Sequence, residues 1–106
     1  MTRAPDSWKI IKFESTDFGV VYKLLGGWYG GYLNGDSWQL NSGIKEVIET
    51  ENHYDFIGYS GSIYHCNKTG EHISGIMAAQ IGYWEDLSKE NPELVTITVV
   101  DYKDYK

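Results

Sequence analysis

Residues 24–40 read LLGGWYGGYLNGDSWQL, and the parsing of this stretch decides the fold. Its glycines fall as the pairs Gly26-Gly27 and Gly30-Gly31 and as Gly35, interleaved with Trp28, Tyr29, Tyr32 and Trp38. Paired glycines inside a strand mark a bulge, a sharp bend or a close backbone approach, because only glycine takes positive φ freely. Leu33-Asn34-Gly35-Asp36 then places an Asn-Gly pair between two apolar-aromatic runs, the signature of a type I′ hairpin turn. The stretch therefore predicts a bent hairpin whose return strand is Ser37–Leu40.

Upstream, residues 8–14 (WKIIKFE) set Ile11 and Phe13 on one side and Trp8, Ile10 and Lys12 on the other, the period of a strand. The run FGVVYKLL after the turn Ser15-Thr16-Asp17 has the β-branched and aromatic content of a pleated surface. Downstream, Ile44–Thr50 and Tyr54–Tyr59 predict a strand pair joined by Glu51-Asn52-His53. Ser62–Cys66 follows the break at Ser60-Gly61. From Ile73 the period changes: Ile73, Ile76, Met77, Ile81, Trp84 and Leu87 paint one face of a helix that Asn91-Pro92 ends. The run LVTITVVDY alternates again as a last strand, with DYKDYK read as a frayed end. The expected fold is α+β: a strongly bent, mainly antiparallel sheet of about seven strands with one late helix packed on it. Residues 1–7 are expected as a loose arm before a single domain, 8–106.

Composition narrows the function classes. A chain of 106 residues, 42% hydrophobic, buries enough apolar surface to fold as one domain. Fifteen acidic residues against nine basic ones give a net charge of −6, which repels nucleic-acid phosphates, so no nucleic acid is expected as a direct partner. The lone Cys66 makes no intrachain disulfide and fits a reducing compartment. No signal-like or membrane-spanning apolar run is found, and a cytoplasmic location is expected.

Catalytic and metal chemistry finds no support in the spacing. His65 and Cys66 are adjacent on a predicted strand, so their side chains point to opposite faces and form no dyad. His53 in a predicted turn and His72 at the helix start complete no zinc-ligand pattern, and Cys66 reads as a small core residue. The glycines lie in strand breaks rather than between a strand and a helix, and no phosphate-loop, dinucleotide or nucleophile-elbow motif occurs. No cofactor, metal or catalytic residue is expected.

Two kinds of binding surface are expected instead. Glu46, Glu49, Glu51 and Asp55 occupy a stretch without lysine or arginine. They would meet a basic surface on a partner protein, with Trp28, Tyr29 and Tyr32 as anchors. Alternatively, Trp28, Trp38, Asn41, Ser42, Ser60 and Ser62 combine stacking faces with short polar groups, the mix of a small-ligand pocket. On the helix, Gly75, Ala78, Ala79 and Gly82 form a row of small residues that lets another backbone approach, either the chain's own sheet or a second copy as a homodimer.

Asp36-Ser37-Trp38-Gln39-Leu40-Asn41-Ser42-Gly43-Ile44, followed by Gly58-Tyr59-Ser60-Gly61-Ser62-Ile63-Tyr64, resembles small uncharacterised proteins of tailed bacteriophages over the middle third of the chain. The resemblance implies a context in which small acidic proteins bind and disable host machinery. The leading expectation is therefore a non-catalytic inhibitor, a phage-type antagonist of bacterial defence that occupies a site on a host protein in the host cytoplasm. The alternative is a protein that sequesters a small polar or nucleotide-like signalling molecule.

Overall fold

Strand β2 (Ser7–Ser15) carries the alternation its sequence predicts, and both of its faces are covered. The computed structural model describes residues 2–31 and 35–106. On one face, Trp8 and Ile10 join Leu24 of β3 (Gly19–Gly31) against Ile44, Phe56, Tyr64 and Cys66 of a second sheet. On the other, Ile11 joins Leu25 against Met77 and Ile81 of helix α1 (Gly75–Glu90). A sheet apolar on both faces must be sandwiched. The result is three layers: sheet, sheet, helix.

The described residues form eight strands. The central sheet runs in the order β4-β3-β2-β8, with β4 spanning Gly35–Leu40 and β8 Thr96–Val100, and all its pairings are antiparallel. The outer sheet runs β1-β7-β6-β5, built from Ile44–Glu49 (β5), His53–Gly58 (β6) and Ile63–Asn67 (β7), with β1 (Thr2–Arg3) parallel to β7. A sheet-rich α+β fold is thus present, but as two stacked sheets rather than one bent one. The glycine pairs explain the difference. β3 runs through Gly26-Gly27 without a break, and the register slips only between Trp28 and Gly31. At Gly27 an added Cβ would lie 2.7 Å from Met77 Sδ, so here glycine serves the close approach of the helix. The chain changes sheet later, at Asn41-Ser42-Gly43. Of the expected hairpin turn, Leu33 and Asn34 lie outside the described residues, while Gly35 has φ +68°.

Both ends of the chain correct the sequence reading. The expected loose arm contains β1, whose Thr2 and Arg3 pair with Ile63 and Tyr64, and Ser7, which is buried. The expected frayed end is a short helix, α2 (Tyr102–Tyr105), whose Tyr102 lies in the inter-sheet core stacked on Tyr54 at 3.9 Å. Trp8 is fully buried edge-on to that pair, 5.2 Å from Phe56, and its indole N–H donates to Asn67 O at 2.7 Å. Burying a side chain of this size contributes about 2–3 kcal/mol. Lys9, also buried, donates to Glu71 (3.0 Å) and to Asp101, and Glu71 accepts the Tyr102 N–H, which ties α2 down. No helix among the described residues is long and apolar enough to cross a membrane.

Two glycine substitutions separate packing from propensity. Gly27→Ala should lower stability by about 1–3 kcal/mol through overpacking on Met77. Gly82→Ala, whose Cβ would enter open space on α1, should raise it by up to about 1 kcal/mol. Urea unfolding of both variants checks the pair, and equal effects would contradict this packing.

Candidate functional site: a two-lobed cleft at the sheet crossover

The crossover is built around Asn41, only 5% exposed. Its N–H donates to Leu24 O at 3.0 Å, as a further residue of β4 would. Its side-chain Oδ1 accepts the Leu24 N–H (2.8 Å) and the Gly43 N–H (3.1 Å). The side chain thus replaces the main-chain acceptor that β3 loses when the chain departs. Gly43, at φ +130°, makes the departure, a conformation strained for residues with a Cβ. The crossover then docks on the turn after β6: Tyr59 N–H donates to Gly43 O at 3.2 Å and Ser60 N–H to Ser42 Oγ at 3.0 Å.

This docking leaves a cleft of 570 Å³ between the layers. Trp38, Gln39 and Leu40 of β4 line it together with Asn41 and Ser42 of the crossover. Ser60 and Ser62 come from the β6–β7 turn, Tyr64 from β7, Trp84 from α1 and Arg3 from β1. A smaller lobe of 170 Å³ adjoins it, sharing Arg3, Trp38 and Gln39 and adding Trp28 and Ser37. All six residues of the expected ligand pocket therefore line one lobe or the other. Sequence reading missed Arg3, Ser37, Gln39, Leu40, Tyr64 and Trp84. Trp84 had a signal in its helical stripe, but its place beside Trp38, edge to face at 5.4 Å, depends on how α1 crosses β4.

The electrostatics of the cleft are unusual for so acidic a chain. Arg3 is the only charged residue among those lining either lobe, and no carboxylate among the described residues forms an ion pair with it. Burial raises the pKa of Tyr64, and the Arg3 charge partly opposes that rise. Two polar atoms of the cleft residues, Gln39 Oε1 and Asn41 Nδ2, are buried without a hydrogen-bond partner. Because Asn41 Oδ1 already accepts two N–H groups, flipping the amide would not relieve its Nδ2. An unmet buried donor costs about 1–3 kcal/mol.

The expected acidic surface is dispersed. Across the β5–β6 register, Glu49 faces Tyr54, which packs on the inter-sheet core, whereas Ile48 faces Asp55 on the opposite side. Glu49 binds Lys68 at 2.7 Å and lies 3.9 Å from Lys106. Asp55 pairs with His65 at 2.5 Å, and His65 stacks on His53 at 3.9 Å. Glu46 and Glu51 are exposed without an ion-pair partner among the described residues. Of the aromatic anchors, Trp28 is half-buried and donates to Ala4 O at 3.1 Å. Tyr29 is exposed, its hydroxyl 2.9 Å from His72 Nε2, and Tyr32 lies outside the described residues. On α1 the small row of Gly75, Ala78 and Ala79 is exposed and Gly82 half-exposed, so the chain's own sheet is not what approaches it. Cys66 is fully buried, and burial pushes its thiol far above the ordinary range, which leaves it inert. Comparison with protein-family models, curated proteins and solved structures finds no match to the chain.

The ion pairs predict a pH profile. The hydrogen bond from Lys68 lowers the pKa of Glu49, and that from Lys9 lowers the pKa of Asp101. A carboxylate depressed in the folded state contributes stability above its unfolded pKa and loses it as pH falls through the folded value. Burial pulls the Lys9 pKa down, but its bonds to Asp101 and Glu71 outweigh burial and leave it raised. Its contribution holds at neutral pH and fades only as pH climbs through that raised value. Glu49→Gln and Asp101→Asn should therefore melt below wild type at pH 7 and converge on it in acid, once pH has fallen below the lowered folded-state values. Thermal melts across that range check this, and a constant offset would show that the carboxylate charges contribute nothing.

Proposed function

We propose that this is a non-catalytic binding protein that holds a small polar ligand in the two-lobed cleft. The observation that carries the reading is the convergence of Trp38, Asn41, Ser42, Ser60 and Ser62 with Trp84 on one cavity. Its volume falls in the range of small-molecule sites, about 300–1,000 Å³. The serines serve as contacts rather than nucleophiles, because no His, Asp or Glu lines the cleft to act as their base. The resemblance to tailed-phage proteins involves residues 36–44 and 58–64, which supply most of this lining. What it implies, a small acidic protein that binds and disables host machinery, is the setting in which either reading of this protein would operate.

A second reading, docking of the acidic strand pair onto a basic host surface, draws on the outer side of β5. There Ile48 is 48% exposed beside the unpaired Glu46, with Glu51 in the following turn. One experiment separates the two readings. Protein purified natively from bacterial cells is heat-denatured, and the released small molecules and co-purifying proteins are identified by mass spectrometry. Cleft binding predicts a released compound that is lost in Trp38→Ala or Ser60→Ala and kept in Glu46→Lys/Glu51→Lys. A protein partner lost only on charge reversal, with no compound released, would overturn the cleft reading in favour of the second.

A further inference from the structure

We infer that the ligand of this cleft is a mononucleotide, a planar heterocycle carrying a single phosphate, with Arg3 as the phosphate-binding residue; the inference rests on the cleft being the functional site. Charge is the first argument. A chain with fifteen acidic residues places none of them among those lining either lobe, and places there one arginine that pairs with no described carboxylate. Such a cleft discriminates against cations and neutralises one anionic group, for which the guanidinium fork is geometrically suited. A polyphosphate or a nucleic-acid strand would bring several charges against one cation and a net charge of −6.

The walls supply the second argument. Arg3 sits where the lobes meet, and Trp38 is shared by both, with Trp84 edge-on to it in the larger lobe and Trp28 in the smaller. A flat ring beside the cation is the group such indole faces hold best. Ser42, Ser60 and Ser62 on the same lining offer short hydroxyl groups that donate to or accept from a nucleobase edge. Aliphatic phosphates use only Arg3, and neutral aromatics use only the indoles.

The position of Arg3 also makes the clamp separable from the fold. It belongs to a two-residue strand held to β7 by the pairs Thr2–Ile63 and Arg3–Tyr64, so its side chain can be changed while the backbone ladder stays.

Calorimetry with the four common nucleoside monophosphates, their nucleosides, inorganic phosphate and adenosine triphosphate tests the inference. Protein freed of any released compound is used, and unchanged circular dichroism serves as the folding control. At least one monophosphate should bind, its nucleoside at least tenfold more weakly, phosphate alone not measurably, and the triphosphate no more tightly than the monophosphate. Arg3→Gln should reduce the monophosphate to the affinity of its nucleoside and leave the nucleoside unchanged, and Arg3→Lys should recover part of the loss. Equal binding of nucleoside and monophosphate, or an Arg3→Gln variant with unaltered affinity, would overturn the inference. A released compound of another class that still needs Trp38 and Ser60 would sink the mononucleotide while leaving the cleft reading intact. No released compound and no binding by any of these probes would sink both.

Discussion

The architecture depends on one amide side chain. Without Asn41 Oδ1, the Leu24 N–H would face the point where β4 leaves the central sheet with no acceptor, and the Gly43 N–H would lose its partner in the same turn. Buried backbone donors do not tolerate this, so the chain would either continue along β3 or admit water into the sandwich. By standing in for the main-chain acceptor, Asn41 lets the chain leave the sheet within two residues. It delivers Ile44 to the inter-sheet core, opposite Gly58 at the start of the β5–β6 pairing. The placement of β5, β6 and β7 over Trp8, Ile10 and Leu24 follows from that exit.

The cleft is a consequence of the same exit. A crossover leaves a corner uncovered between the edge strand it departs from and the turn it docks against. Here α1 closes one side with Trp84 and β1 another with Arg3. The frame around this corner is tied by Gly58 N–H to Ser62 O, which closes the β6–β7 turn, and by Ser60 N–H to Ser42 Oγ and Tyr59 N–H to Gly43 O, which hold that turn to the crossover. Short polar side chains held on such a frame contact a ligand without first being ordered, which lowers the entropic cost of binding.

What the sequence reveals, and what it hides, follows from the range of each signal. The alternation in residues 8–14, the helical period and the last strand are local patterns, and the structure carries all three, though α1 begins at Gly75 and leaves Ile73 exposed before it. The division into two sheets is not local. It turns on whether β4 continues or crosses, which Asn41 decides by a side-chain bond that no periodicity encodes. β1 is two residues long, too short for any pattern, and Tyr102 sits in a charged tail whose burial comes from Lys9, Glu71 and Asp101 meeting in space. The pocket residues from Trp38 to Ser62 were readable because short polar side chains beside glycine breaks stand out in an aromatic chain. The acidic run hides its own division, because neighbours on a strand alternate faces: Glu49 turns toward Tyr54 and Lys68 while Glu46 and Asp55 stand on the other side of the pair.

The distribution of charge joins these observations. Glu71 and Asp101 converge on Lys9, Glu49 on Lys68, and Asp55 on His65, so four of the carboxylates are held in pairs with basic groups of the outer sheet, β2 and the chain end. Bonded carboxylates stay charged but spend their field on a near neighbour. Arg3 is excluded from that network, although it lies on β1 beside the same sheet. Among the described residues it is Arg3 that lines the cleft together with Trp28, Trp38 and Trp84. Asn41 stands at the junction of the two features: its oxygen makes the crossover, and the residue itself lines the cleft that the crossover leaves.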